Sequence, residues 1–217
     1  LRKKSKNIQN NIFGFIKNGP KIFTRMIYLV KNKNSINKAV EILKSGGVII
    51  YPTDTLYGFG ADATNTKAIN KLNLLKNRKD PLSIIVHSLN EIEKYGKLGD
   101  DEKAICKRIF PGAFTILIES IDSNLSPLVN ETSNYTGIRI PNHPFPIEVT
   151  KHLGNPIITT SVNKKGQPSL SDTSEMEKVF PNTDIFKDKI NHSSKGSTII
   201  NLAVNPHKII RNGDGKL

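Results

Sequence analysis

The chain has 217 residues, 36% of them hydrophobic and 24% charged, which suits one globular domain with a sizeable core. No stretch approaches the ~20 apolar residues of a membrane span, and a lone cysteine, Cys106, excludes an internal disulfide and a cysteine-based zinc site. The formal charge of +13 invites a nucleic-acid reading. However, residues 1–25 hold seven Lys or Arg and no acid, and the rest carries 25 basic and 19 acidic residues, a modest +6.

The basic segment 1–25 is therefore set apart from a domain over residues 26–217. It reads as translated upstream sequence with Met26 as the start. An organelle-targeting segment and a basic arm touching RNA are the alternatives. A cytoplasmic setting with no membrane association is the default.

From Met26 onward, strand and helix signals alternate. Ile27–Val30 is a short apolar run that suits an edge strand. Ser35 is placed to cap a helix over Ile36–Ser45, which Gly46-Gly47 ends. Val48–Tyr51 reads as a buried strand running into Pro52. Thr66 is placed to cap a helix from Lys67 to about Lys76 that buries Ile69, Leu72 and Leu75. Leu82–His87 reads as a strand, Leu89–Tyr95 and Asp100–Ile109 as helices, and Pro111-Gly112 breaks the second. Phe114–Ile118 and Gly137–Ile140 follow as strands, Pro146–Leu153 as a helix and Ile157–Val162 as a strand. Ser174–Phe180 is a short helix, and Ser197–Leu202 and Lys208–Arg211 are late strands. Residues 122–136 and 164–173 read as polar loops. The alternation predicts an α/β fold, a twisted mixed sheet flanked by helices.

Several short motifs sit at element ends. Pro52-Thr53-Asp54-Thr55-Leu56-Tyr57-Gly58 follows a strand, where open α/β sheets bind ligands. The plain alternative is a turn whose side chains bond local backbone. Lys76-Asn77-Arg78 places two cations where a helix yields to a loop. They suit a polyphosphate, or simply the helix dipole. Arg139, inside the apolar Gly137-Ile138-Arg139-Ile140, needs a partner or an anionic ligand, while His143 lies in the turn beyond. Thr159-Thr160-Ser161-Val162-Asn163 ends a strand with hydroxyls and an amide suited to phosphate oxygens or a base edge. No Walker loop, Gly-x-Gly-x-x-Gly, zinc-spaced His pair or Gly-x-Ser-x-Gly elbow occurs.

Taken in order, these motifs resemble one family. The series is Pro-Thr-Asp-Thr-x-Tyr-Gly, Lys-x-Arg, Pro-Gly-x-x-Thr at Pro111, Gly112 and Thr115, Gly-Ile-Arg-x-Pro-x-His-Pro, Ser-x-Asn, Ser-Thr-Ile-Ile and Arg-x-Gly. It looks like the YrdC-like threonylcarbamoyl-AMP synthases over about residues 36–213. The resemblance implies a YrdC-like sheet with a basic concave face. It also implies condensation of L-threonine, bicarbonate and ATP, with Mg2+ on the phosphates, into threonylcarbamoyl-AMP and pyrophosphate. The product serves t6A modification of tRNA, so tRNA and a downstream threonylcarbamoyltransferase are the implied partners. Lys76 and Arg78 would hold phosphates, with Arg211. Thr159, Ser161, Asn163 and Ser169 would contact the nucleotide. Thr53, Thr55, Tyr57, Arg139 and Ser197 would take threonine. No general base or covalent nucleophile stands out, so positioning and charge neutralisation are the expected means of catalysis.

The chain also departs from the pattern. Only Lys79 and Asp80 separate Arg78 from Pro81, about two residues fewer than is usual in the family. Ala113, Val162, Lys165 and Asn201 replace Pro, Ala, Ser and Asp. Ending soon after Gly213, the chain resembles the family's short single-domain form. A YciO-like paralogue of different activity is one rival. A non-catalytic RNA-binding module is the other, although the 6% aromatic content and lack of Trp weaken it.

Overall fold

The computed structural model of the chain describes residues 26–77 and 80–217; residues 1–25, Arg78 and Lys79 lie outside it. Among the described residues, ten strands form one mixed sheet in the order β1-β8-β2-β3-β7-β4-β6-β5-β9-β10. In chain order they are β1 (Ile27–Leu29), β2 (Ile49–Tyr51), β3 (Gly58–Gly60), β4 (Ser83–Ile85), β5 (Phe114–Glu119), β6 (Tyr135–Arg139), β7 (Ile157–Ser161), β8 (Asp184–Lys187), β9 (Thr198–Asn201) and β10 (Lys208–Arg211). The helices are α1 (Ser35–Lys44), α2 (Thr66–Lys76), α3 (Asp100–Ile109), α4 (Pro144–Leu153) and α5 (Thr173–Val179). Among the described residues no helix is long and apolar enough to cross a membrane.

Successive strand residues feed two cores, one on each face, as the two-residue side-chain period requires. Ile49 and Tyr51 of β2, Ile85, Ile157 and Phe186 pack against Ala39, Val40 and Leu43 of α1 and Phe145, Val149 and Leu153 of α4. Their neighbours Ile50, Ile84, Ile158 and Ile185 turn to the other face, where Ile69 and Leu72 of α2 and Met176 of α5 meet them. The expected α/β layering is thus present, with helices on both faces of the sheet.

Two expected caps are corrected. Ser35 is the first residue of α1, and its Oγ donates to Leu29 O (2.7 Å) rather than closing the helix end. Thr66 opens α2, whose cap is Asn65, accepting from the N–H groups of Lys67 and Ala68 (both 3.1 Å). Leu89–Lys94 is a 3-10 helix rather than α-helix. Two strands escape the sequence pattern, β3 and β8. In β3 the glycines remove the strand signal, yet Gly60 is required there: an added Cβ would stand 2.8 Å from the ring of Tyr51 on the paired strand.

Candidate active site

A cavity of about 260 Å³ opens over the sheet. Because the sheet is mixed, both kinds of strand end reach it. Residues following β2, at the end of β7 and at the end of β6 line it, and so do the starts of β3, β4, β5 and β9. Of the expected site residues, Thr53, Thr55, Tyr57, Arg139, Thr159, Ser161, Ser169, Ser197 and Arg211 all line this one cavity. Lys76 and Asn163 lie behind it, and Arg78 falls outside the described residues.

The turn after β2 combines local turn chemistry with contacts to distant elements. Thr53 Oγ1 donates to Leu56 O (2.7 Å) and accepts from Thr55 N (3.1 Å), a local turn closure. Asp54 looks elsewhere. Its Oδ1 pairs with Arg139 Nη2, and its Oδ2 accepts from Asn142 N (2.9 Å). Arg139 Nη2 also donates to Thr55 Oγ1 (2.8 Å), so the guanidinium is tied to the turn from the end of a strand 84 residues on. Arg139 is buried, and its Nε has no hydrogen-bond partner among the described residues. That leaves an unsatisfied donor on a side chain lining the cavity, a group that calls for an acceptor.

Tyr57 contributes its ring to the wall. Its hydroxyl is fully engaged by Asp188, donating to the carbonyl (2.7 Å) and accepting from the N–H (3.1 Å). Burial raises its pKa above the ordinary tyrosine value, so the phenol stays protonated. Across the cavity, Ser197 Oγ is 2.7 Å from Thr115 Oγ1. Arg211 clamps the same residue, donating from Nε (3.1 Å) and Nη2 (2.8 Å) to Ser197 O and from Nη2 to Ser197 Oγ (3.1 Å). Partial burial, and then the nearby charge of Arg139, hold the Arg211 pKa below its usual value. Two like charges kept this close favour an anion beside them.

Lys76 is 1% exposed, an extreme for lysine. It closes α2, and Asn77 follows in the left-handed region (φ 52°). The ammonium donates to Ser161 O, Asn163 O (3.1 Å) and Asn163 Oδ1 (3.0 Å), and lies 5.5 Å from the Phe59 ring centroid. Asn163 passes the restraint on: its Oδ1 also accepts from Ser161 Oγ (2.7 Å), and its Nδ2 donates to Gln167 O (2.7 Å) and Lys164 O (3.2 Å). So Lys76 and Asn163 together shape the end of β7 and the loop beyond it.

The cations lining the cavity are Arg139, Lys195 and Arg211, and no carboxylate lines it among the described residues. Lys195 went unmarked by the motifs, since a single lysine in a polar stretch has no local signature. Thr160 and Gly196 also line the cavity. No group of three or more His, Cys, Asp or Glu among the described residues could hold a metal ion. The nearby Asp54 carboxylate is already bound by Arg139 and Asn142. These residues therefore do not form a resident Mg2+ site.

The Sua5/YciO/YrdC family model, described as telomere recombination, matches residues 41–213. The threonylcarbamoyl-AMP synthase of Bacillus subtilis is 34% identical over 144 residues, 65% of this chain and 42% of its own length. That of Psychromonas ingrahamii is 30% identical over 184 residues, 82% of this chain and 88% of its own. The chain thus spans under half of the first relative and most of the second. A crystal structure of P. abyssi Sua5 complexed with L-threonine superposes with a TM-score of 0.80 at 23% identity, covering 87% of this chain and 57% of that one. Sequence match and shared fold agree, and the chain belongs to the Sua5/YciO/YrdC family.

Proposed function

We propose that this protein is an L-threonylcarbamoyladenylate synthase, a nucleotidyltransferase that supplies the activated group for t6A modification of tRNA. The observation that carries the reading is the convergence of Thr55, Arg139, Ser197 and Arg211 in one cavity lined by cations without free carboxylates. Such a cavity suits a substrate set that is anionic throughout: threonine carboxylate, bicarbonate and nucleotide polyphosphate. Relatives named threonylcarbamoyl-AMP synthase support the same substrates.

In this reading the unprotonated threonine amine attacks bicarbonate with loss of water, or its dehydrated form CO2 with loss of a proton to solvent, giving a carbamate. A carbamate oxygen then attacks the α-phosphorus of ATP, and pyrophosphate leaves with the electron pair of the broken P–O bond. Thr53, Thr55 and Tyr57 wall the threonine pocket. Arg139 and Ser197 hold its carboxylate and the carbamate. Thr159, Ser161 and Ser169 meet the nucleotide on the wall that Lys76 and Asn163 support. Arg211, Lys76 and, by the family resemblance, Arg78 offset phosphate charge. Any Mg2+ comes with the nucleotide as part of the substrate. With no side chain among the described residues positioned as base or nucleophile, the rate comes from alignment and electrostatics.

The test is mass spectrometry of products from ATP, bicarbonate and a mixture of amino acids, beside pyrophosphate release. Threonylcarbamoyl-AMP and threonine-dependent pyrophosphate are the expected outcome. ATP turnover indifferent to threonine would instead mark a YciO-like paralogue. Tight tRNA binding with no ATP binding would mark an RNA-binding module.

A further inference from the structure

The connection between β8 and β9 crosses the site. The two strands stand seven places apart in the sheet, yet residues 188–197 alone join them. The segment turns at residues 191–194, where Ser194 N donates to Asn191 O (3.2 Å), and its two ends are held beside the cavity. At its near end Asp188 is held by the Tyr57 hydroxyl. At its far end Gly196 has φ +83°, and a Cβ there would meet Leu56 and Arg211 at 3.4 Å.

The far end is fastened by the C-terminal segment. Asp214 Oδ2 accepts from Ser194 Oγ (2.5 Å), Oδ1 accepts from Lys195 N (2.9 Å), and Asp214 N donates to Gly196 O (2.8 Å). The approach is too close for side chains, since a Cβ on Gly213 would stand 2.3 Å from Gly196 O. Lys195, between these fastened residues, lines the cavity mouth with an exposed side chain. Among the described residues it forms no ion pair, and its neighbour Asp214 is engaged by Ser194 and by the Lys195 backbone instead. Its charge is thus available to a ligand. A triphosphate, with about four negative charges, settles where the cations are, and the hydroxyl-rich wall at Thr159, Thr160 and Ser161 offers none.

We propose that Lys195 is a further ligand of the nucleotide's polyphosphate, closing the outer side of the subsite that Arg211 begins, and that Asp214 is the residue that positions it. This rests on the ATP-using function proposed above. A flexible ammonium on a pinned backbone suits a group that must hold pyrophosphate and then release it.

Calorimetric titration of the full chain with ATP and with AMP tests this. Lys195→Ala weakens ATP binding roughly tenfold, the size of one charge-assisted contact, and leaves AMP binding unchanged. Lys195→Arg keeps most of the ATP affinity. Asp214→Ala weakens ATP less, and adding it to Lys195→Ala brings no further loss, because it acts through that lysine. Unchanged ATP affinity in Lys195→Ala overturns the proposal, as does an equal loss of AMP. Pyrophosphate release separates this from the functional reading. If Lys195→Ala loses ATP affinity while the wild type releases no threonine-dependent pyrophosphate, the lysine assignment stands and the synthase reading falls. If the wild type turns over and Lys195→Ala matches it in binding and rate, the reverse holds. A wild type that binds no ATP overturns both.

Discussion

Arg139, at the end of β6, forms an ion pair with Asp54, 85 residues earlier in the turn after β2. The side chains are only 7% and 12% exposed. Removing one member of such a pair leaves a buried charge uncompensated. Asp54→Ala is expected to lower unfolding free energy by roughly 3–5 kcal/mol in urea titration, and replacing Arg139 by Met in the same chain should restore much of it. A loss under about 1 kcal/mol would mean the pair is solvated and weak.

Lys76 offers a test of support against direct contact. Lys76→Met removes the donor for Ser161 O and for both Asn163 oxygens, and so frees the loop beyond β7. Hydrogen exchange should quicken at Leu170, whose N–H bonds Val162 O (2.8 Å), while ATP affinity falls. Reduced ATP affinity with unchanged exchange in this loop would assign Lys76 a purely electrostatic part.

The two glycines of β3 should behave oppositely. Gly60→Ala drives a methyl to 2.8 Å from the buried Tyr51 ring, and an overpacking cost of about 1–3 kcal/mol is expected. Gly58→Ala meets only ordinary contacts of 3.4–3.6 Å, so its stability should stay within about 0.5 kcal/mol of wild type. Equal unfolding midpoints for the two variants would refute the packing argument.

His143 caps α4, its Nδ1 accepting from Phe145 N (3.2 Å), which requires an unprotonated Nδ1. Burial lowers its pKa, outweighing the opposite pull of Asp188 and Asp54. A base with a lowered folded pKa leaves the unfolded chain binding more protons. Stability is therefore fully present above the unfolded value of about 6.5 and is lost as pH falls through the lower folded value. Asn can cap without titrating, so His143→Asn should flatten this part of the stability–pH curve. A curve unchanged by the substitution would place the dependence elsewhere.

Cys106 is buried, and burial with the charge of Glu102 pushes its thiol up to about 11. Thiolate reagents at mildly alkaline pH should leave it unmodified in the native protein and label it on unfolding. Fast native labelling would show that α3 opens readily.

Local chemistry was legible in the sequence. The α3 boundaries follow from three acids in the first turn and Pro111-Gly112 after the last, because capping and helix period act within a few residues. The order of hydroxyl, cation and glycine motifs was legible too, and it named nine of the side chains that line the cavity. Only the tertiary structure decided what those side chains do for one another. It paired Asp54 with Arg139, turned Lys76 inward onto Ser161 and Asn163, made β3 and β8 strands, and drew Lys195 over the site. The physical reason is range. Periodicity and caps are properties of neighbouring residues, whereas an ion pair across 85 residues or a connection between strands with six others between them depends on where the sheet sets its strands.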